Sequence, residues 1–312
     1  MRMNVVETKQ IVKRFTNHLA LDGVSLVVPE GKVFGLLGPN GAGKTTMIRI
    51  MNRITMPDAG EVYFCGHPSH PDDVYQIGYL PEERGLYKKM KVGEQAIYLA
   101  QLKGLSYQEA RHRLQQWFEK FDIMPWWNRK VEELSKGMQQ KVQFVITVIH
   151  EPKLLIFDEP FSGFDPVNAE LLKQEILALK EQGHTIIFST HNMASVEEIC
   201  DNIALINHAQ VVLSGEVNEV RNRFKSHHFT LCYSEQRQGS LAPEGYEVLG
   251  ETRRSSGITE LRIRKDVELR NSDLLQRLAQ RYEILSFAEE LPSMHDIFIQ
   301  TVSSNTQTST AL

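Results

Sequence analysis

The sequence has few cysteines, and they are not arranged for covalent or metal chemistry. Cys65, Cys200 and Cys232 are the three cysteines in 312 residues. Neither a CxxC pair nor a spacing typical of metal ligands occurs among them. An odd number of widely separated cysteines argues against a disulfide framework, so we expect three small buried residues in a reducing compartment.

Long hydrophobic runs are also missing. Apolar stretches such as 142–149 and 154–157 are far shorter than the roughly 18 residues that a membrane-spanning helix needs. The N-terminus lacks the apolar segment of a secretory signal. We therefore expect a cytoplasmic chain that does not itself cross a membrane.

A surplus of basic residues is absent as well. The formal net charge is −4, whereas nucleic-acid binding usually requires a clustered positive surplus, so no nucleic-acid partner is expected. Apolar residues make up 41% of the chain and charged residues 24%, which is typical of a globular protein. The length suits one large domain with a smaller appendage.

The hydrophobic pattern predicts an α/β fold. An apolar strand at 32–37 runs into a glycine-rich loop, and a polar-rich helical pattern covers 92–134. Helices at 137–149 and 169–181 then alternate with strands such as 185–189, which is typical of a doubly wound α/β layer structure. Short strands are also predicted at 5–6, 11–12 and 24–28. We expect a first domain at 1–222 with a helical subdomain at about 90–150. A small α+β accessory domain at 223–302 should end in a helix at 293–302, followed by a disordered tail at 303–312.

The glycine-rich loop fits the phosphate-binding pattern GxxxxGK[ST]. Its glycines let backbone N–H groups close around a phosphate, and the helix that follows adds a favourable dipole. Lys44 is expected to reach the β and γ phosphates, and Thr45 to bind Mg²⁺. The predicted ATP-binding residues of this loop are Gly38, Pro39, Asn40, Gly41, Ala42, Gly43, Lys44, Thr45 and Thr46.

Two adjacent acids follow a second apolar strand, at 154–157. The carboxyl end of a buried strand is where α/β sheets bind their ligands. Asp158 is expected to bind Mg²⁺, and Glu159 to polarise the water that attacks the γ-phosphate. A buried acid pair is difficult to explain by packing, because unpaired carboxylates are costly to bury.

Three further segments, in this order along the chain, narrow the class of protein. They are LSKGMQQK at 134–141, FSGFD at 161–165 and STH at 189–191. Together with the loop and the acids, they resemble the ATP-binding cassette family of transporter ATPases over residues 3 to 222. The resemblance implies a P-loop NTPase cassette with a mixed sheet, a β-subdomain and a helical insertion.

The resemblance also implies roles for individual residues. Ser135 and Gly137 would bind the γ-phosphate of ATP held by a second copy of the subunit, so that two chains form a head-to-tail dimer. His191 would contact the γ-phosphate, and Asp165 would link the two sites. Phe15 stands where the family has an aromatic residue that stacks on adenine, although a lone aromatic residue also fits a core position.

One departure concerns the metal. The segment 78–82 resembles the glutamine loop of the family, but Glu82 replaces the glutamine. A carboxylate binds Mg²⁺ more strongly than an amide, so Glu82 is a further candidate metal ligand. The segments 79–87 and 290–298 resemble the subunits that serve ABC-2 type exporters, especially those of bacterial sodium exporters. That branch implies separately encoded transmembrane permease subunits and a position on the inner face of the cell membrane.

Two other functions remain open from the sequence. The first is a soluble cassette ATPase that acts on ribosomes or DNA, although such proteins usually join two cassettes or carry a long coiled coil. The second is a regulatory nucleotide-binding module with little turnover. Retention of Glu159, Ser135 and His191 favours an active ATPase that energises transport.

Overall fold

A computed structural model of the chain describes residues 3–83, 85–236, 245–254 and 257–309. It divides into two compact units, Met1–Val217 and Asn218–Leu312. The sequence predicted the boundary between residues 222 and 223; the helix Val217–Arg223 spans the observed junction and lies almost entirely in the second unit. Within the ranges described, no helix is both long and apolar enough to cross a membrane.

The first unit contains two sheets and several helices. Its strands are β1 (Asn4–Phe15), β2 (His18–Pro29), β3 (Val33–Leu37), β4 (Ala59–Phe64), β5 (His67–Pro68), β6 (Ile77–Leu80), β7 (Leu154–Asp158), β8 (Thr185–Thr190), β9 (Asn202–Asn207) and β10 (Gln210–Glu216). Its helices are α1 (Lys44–Met51), α2 (Val92–Leu102), α3 (Tyr107–Lys120), α4 (Lys136–Val148), α5 (Pro166–Glu181) and α6 (Met193–Ile199); α7 (Val217–Arg223) follows at the junction.

The central sheet of this unit positions the candidate site. Its order is β10-β9-β3-β8-β7-β6, with parallel pairing except at the antiparallel edge strand β10. Every residue of β3, β7 and β8 is buried, as expected of central parallel strands covered on both faces. Because β3 and β7 are parallel to β8, their carboxyl ends meet at one edge of the sheet, where α/β folds bind ligands.

The antiparallel sheet has the order β2-β1-β4-β5. The sequence predicted several short strands over residues 5–28, but β1 and β2 form one long hairpin. Irregular register between Thr8 and Ile11 and again near Lys13 shifts the alternation of buried and exposed residues. These bulges explain why the sequence pattern indicated interruptions.

The helical insertion packs on the central sheet through aromatic rings. Helices α2 to α4 fall in the region 90–150 that the sequence assigned to a helical subdomain. Phe144 of α4 lies 5.7 Å from the Phe121 ring and 5.4 Å from the Phe157 ring of β7, measured between centroids. This chain of contacts fixes the helical insertion to the strand that ends in Asp158.

The second unit is a small α+β domain. It contains β11 (His228–Gln236), β12 (Tyr246–Arg253), β13 (Thr259–Lys265), α8 (Asn271–Arg281), β14 (Tyr282–Glu289) and α9 (Met294–Ser309). The strands form an antiparallel sheet in the order β12-β13-β11-β14. Leu274 and Leu278 of α8 are fully buried in its core with Phe229 and Leu231.

The predicted disordered tail at 303–312 needs a correction. Helix α9 continues to Ser309, so residues 303–309 are helical; residues 310–312 lie outside the described residues. The polar composition suggested disorder, but no glycine or proline after Pro292 stops the helix. The hydroxyl of Thr301 donates to the carbonyl oxygen of Ile297 at 2.7 Å within the same helix.

Candidate functional site

The glycine-rich loop joins β3 to α1, as its sequence predicted. Gly38 has φ 147° and Gly43 has φ 115°, a region of the backbone map that favours glycine. A Cβ atom on Gly38 would lie 2.2 Å from the carbonyl oxygen of Ile206, and one on Gly43 would lie 2.4 Å from that of Ala20. The loop therefore approaches neighbouring backbone so closely that these two positions require glycine.

Lys44 begins α1 and is buried. Its ammonium donates to the carbonyl oxygen of Gly38 at 2.8 Å and to the next carbonyl along the loop at 3.1 Å. Burial lowers the pKa of Lys44, while the carboxylates of Glu159, Asp158 and Glu82 act in the opposite direction. The cation therefore lies close to three acids and beside the loop that would bind phosphate.

Asp158 ends β7 and is 2% exposed. The Ser189 hydroxyl donates to one of its carboxylate oxygens, and the Thr45 hydroxyl lies 3.4 Å from the other. Burial raises the pKa of Asp158, partly offset by the Ser189 hydrogen bond. The sequence paired Thr45 and Asp158 as Mg²⁺ ligands, and the structure brings these two side chains together.

Glu159 has an unusual backbone. Its φ is 48°, which is uncommon for a residue with a side chain and is often found at functional sites. Its N–H donates to the carbonyl oxygen of Ser189 at 3.1 Å, which holds the turn in place. One carboxylate oxygen accepts from the Thr190 hydroxyl at 3.3 Å, and the other lies 2.7 Å from Nδ1 of His191.

These groups line one cavity of about 410 Å³. The lining includes the side chains that the sequence predicted for phosphate, metal and water: those of Lys44, Thr45, Asp158 and Glu159, together with Glu82 and His191. The lining residues are His18, Ala20, Asn40, Gly41, Gly43, Lys44, Thr45, Thr46, Glu82, Asp158, Glu159 and His191. Arg84, which belongs to the same sequence segment as Glu82, lies outside the described residues.

The oxygen donors of this cavity suit Mg²⁺, which prefers carboxylate and hydroxyl ligands. In the part of the chain that the structure describes, no group of three or more His, Cys, Asp and Glu side chains is arranged to hold a metal ion by itself. Mg²⁺ usually keeps several waters and uses one or two carboxylates with substrate phosphates. The donor set therefore fits a metal that arrives with a nucleotide.

A second group of predicted residues is not part of that lining. Ser135 caps α4, where its hydroxyl accepts from the Met138 N–H at 3.3 Å. A Cβ on Gly137 would lie 3.7 Å from the carbonyl oxygen of Gly163, so the start of α4 adjoins the loop that leads to Asp165. Asp165 caps α5 and accepts from the Asn168 N–H at 3.0 Å. The free N–H groups at the start of a helix favour an anion.

Phe15 lies apart from both groups. It is 47% exposed, which excludes a core position, and the Lys13 ammonium lies 5.6 Å from its ring centroid. Pro39 and Ala42 line a neighbouring cavity of about 390 Å³, which shares His18 with the first. Phe15 pairs with His18 at the turn between β1 and β2, and its exposed ring is available for stacking on a base.

Sequence reasoning missed several residues at this site. His18 and Ala20 line the cavity from β2, and no motif in the sequence singled them out. Ser189 and Thr190 were quoted only as part of a motif. Because Asp158 and Ser189 pair directly across the parallel strands β7 and β8, the serine at the end of the predicted strand 185–189 was a usable signal.

Comparison with known proteins agrees with this geometry. A family model described as ABC transporter matches residues 21–162. A model described as the C-terminal domain of DrrA1-3-like ATP-binding proteins matches residues 215–302. The second match covers almost all of the described part of the α+β unit.

Similar full-length proteins are ATP-binding proteins of ABC transporters. The chain is 42% identical to YhaQ of Bacillus subtilis over 94% of this chain and 96% of YhaQ. It is 35% identical to NatA of Bacillus subtilis over 69% of this chain and 86% of NatA. It is 29% identical to the daunorubicin/doxorubicin resistance protein DrrA of Streptomyces peucetius over 94% of this chain and 91% of DrrA.

Solved structures agree as well. The structure of an ATP-binding subunit of an ABC transporter is 31% identical in sequence. The match covers 70% of this chain and 93% of that subunit, with a TM-score of 0.66. The structure of a nucleotide-free ATP-binding cassette from an ABC transporter is 27% identical in sequence. The match covers 70% of this chain and 94% of the cassette, with a TM-score of 0.62. The chain belongs to the family of ABC transporter ATP-binding proteins. It is the ATP-binding and ATP-hydrolysing subunit of an ABC-2 type exporter, so the predicted fold class and activity are confirmed.

Proposed function

We propose that the 410 Å³ cavity holds the phosphates of ATP, and that each predicted residue has its own role there. Lys44 neutralises charge on the β and γ phosphates as it exchanges loop carbonyls for phosphate oxygens. Glu159 accepts a proton from the attacking water, and His191, hydrogen-bonded to the same carboxylate, contacts the γ-phosphate. Phe15 stacks on the adenine.

Mg²⁺ accompanies the nucleotide in this proposal. Thr45 and Asp158 hold it, because their oxygens already lie 3.4 Å apart and both suit a hard cation. Glu82, which lines the same cavity, supplies a further carboxylate. When bound, the metal neutralises charge that develops on the transferred phosphoryl group. Glu82 also places a negative charge where the family has a neutral amide.

We further propose that two chains assemble head to tail. The observation that carries this step is the separation of Ser135, Gly137 and Asp165 from the lining of the phosphate cavity. The start of α4 is suited to an anion, yet it does not line the cavity that the phosphate loop of the same chain lines. A second copy provides the missing half, so each dimer contains two composite sites.

The dimer works with separately encoded transmembrane permease subunits. Membership in the exporter family supports this partner, and the chain would then lie on the inner face of the membrane. ATP binding would close the dimer and ATP hydrolysis would let it open, and these motions would drive transport through the permease.

A mixing experiment tests the composite site. Lys44→Ala removes the phosphate half of a site and Ser135→Arg removes the α4 half, so each variant alone should have little ATPase activity. In a mixed head-to-tail dimer, one site regains an intact phosphate loop and an intact α4 start. We expect the mixture to recover up to about half of the activity per mixed dimer.

A matched control uses two variants of the same half-site. Lys44→Ala mixed with Glu159→Gln leaves every composite site defective, so no activity should return. Recovery in this control, or no recovery in the first mixture despite demonstrated mixed dimers, would contradict the head-to-tail arrangement.

A further inference from the structure

The α+β unit contains an open cavity of its own, of about 780 Å³. None of the ATP-binding or ATP-hydrolysing residues described above lines it. Among its lining residues are the cationic side chains of Arg264, Lys265 and Arg277, together with His227 and the carboxylates of Asp266 and Glu268. Pockets of about 300–1,000 Å³ commonly bind small molecules.

Lys265 distinguishes this cavity from an ordinary surface groove. The residue is 7% exposed, and its ammonium donates to the carbonyl oxygens of Asp266 and Leu269. Among the residues the structure describes, no carboxylate lies within ion-pair distance of this ammonium. An ammonium has three donors, so one remains after the two carbonyls.

Three other cations of this unit have carboxylate partners. Lys225 forms an ion pair with Glu289 at 3.0 Å, and Arg262 forms one with Glu290 at 2.7 Å. Arg264 pairs with Glu247, and the side chains of Arg264 and Glu247 are each more than half exposed. A buried cation without a counter-charge is costly, and it is energetically favourable to compensate it with an anion.

We propose that this cavity binds a small phosphate-bearing anion. Lys265 is the anchor, because its remaining donor has no acidic partner among the residues that the structure describes. Arg264 and Arg277 contribute guanidinium groups, whose planar donors match phosphate oxygens. The lining therefore has three cations, the two arginines and Lys265, and two carboxylates, those of Asp266 and Glu268. Both carboxylates are exposed, so water screens their charge better than that of Lys265.

Isothermal titration of the full chain with inorganic pyrophosphate tests the proposal. All proteins carry Lys44→Ala, which weakens the other phosphate site of the chain. Into this background we would introduce Lys265→Met, which keeps the length of the side chain and removes its charge. Lys225→Met is the matched control, because it removes a cation of the same unit that is already paired and does not line the cavity.

We expect Lys265→Met to weaken pyrophosphate binding at least about tenfold and Lys225→Met to leave it nearly unchanged. Equal affinities in the two variants would overturn the proposal. Citrate that binds more tightly than pyrophosphate in the Lys44→Ala background would overturn the choice of phosphate.

Hydrogen exchange provides a second measurement that does not depend on the folding of Lys265→Met. In the Lys44→Ala protein, pyrophosphate should slow exchange of backbone amides in residues 264–277. Protection confined to the glycine-rich loop would contradict the proposal.

The phosphate could belong to a soluble molecule or to a lipid headgroup. Sedimentation with phosphatidic acid vesicles, lost in Lys265→Met and retained in Lys225→Met, would support the lipid source. Pyrophosphate binding without such sedimentation would support the soluble one.

Discussion

At the residue scale, the phosphate cavity brings together acids that lack full solvation. Asp158 is 2% exposed and adjoins Glu159, and burial raises its pKa. Ionised Asp158 is therefore less favourable in the folded chain than in the unfolded one. Residues arranged for metal and phosphate thus reduce the stability of the protein without ligand.

Asp158→Asn is expected to stabilise the ligand-free chain at neutral pH and to abolish most ATP hydrolysis. The gain in stability should be full above the raised pKa and should disappear as the pH falls below the ordinary value, because the parent is then protonated in both states. Urea unfolding at several pH values measures this difference. Asp165→Asn should not show this gain, because hydrogen bonds from Asn168 lower the pKa of Asp165. A gain from Asp158→Asn that grows toward acid pH would contradict the account.

Glu82→Gln tests whether the carboxylate contributes to the metal site. If it does, the variant should keep ATPase activity but require several-fold more Mg²⁺ for half-maximal rate, because an amide is a weaker ligand than a carboxylate. Glu83→Gln is the control, because Glu83 does not line the cavity. An unchanged Mg²⁺ requirement in Glu82→Gln would remove Glu82 from the metal site.

The sequence identified most residues of the cavity, because loop, acids and histidine lie in short motifs at strand ends. His18 could not be found in this way, because long-range pairing brings it to the phosphate loop from a separate sheet. The hydrogen bonds that orient Glu159 were equally hidden, since they depend on the register between β7 and β8.

At the scale of elements, one ion pair connects the helical insertion to the central layer. Lys120 at the end of α3 lies 2.6 Å from Glu175 of α5, whose side chain is 6% exposed. Loss of the lysine would leave a buried carboxylate without its cation. The helical pattern in the sequence predicted both helices, but not which of their charged residues would meet.

Lys120→Met should destabilise the chain by about 1–3 kcal/mol, the usual cost of an unsatisfied buried group. Lys173→Met is the matched control, because its partners Glu170 and Glu198 are more than half exposed; a loss of at most about 1 kcal/mol is expected there. Urea unfolding measures both. Equal losses in the two variants would show that burial of Glu175 does not govern the effect.

Patterns of hydrophobicity predicted the order of elements better than their ends. The helix after residue 293 was expected to stop near 302, yet α9 reaches Ser309, because a polar sequence without glycine or proline can still form hydrogen bonds within a helix. The hairpin of β1 and β2 was divided by the sequence into short strands, because its bulges disturb the alternation.

At the scale of the whole molecule, the chain joins an ATP-hydrolysing cassette to a smaller unit with a cavity of its own. In the cassette, Ser135, Gly137 and Asp165 do not line the phosphate cavity, which motivates the proposal of a head-to-tail dimer. Family motifs in the sequence predicted both halves, whereas nothing in the sequence marked Lys265 or its cavity.

The oligomeric state of Glu159→Gln, measured by size-exclusion chromatography with light scattering, tests the central proposal most directly. The variant should bind Mg-ATP without hydrolysing it, so the composite sites should close and remain closed. We predict a mass of one chain without nucleotide and of two chains with Mg-ATP, and no such change when Ser135→Arg is added. A mass of one chain under both conditions, or an ATP-dependent dimer that survives Ser135→Arg, would contradict the account.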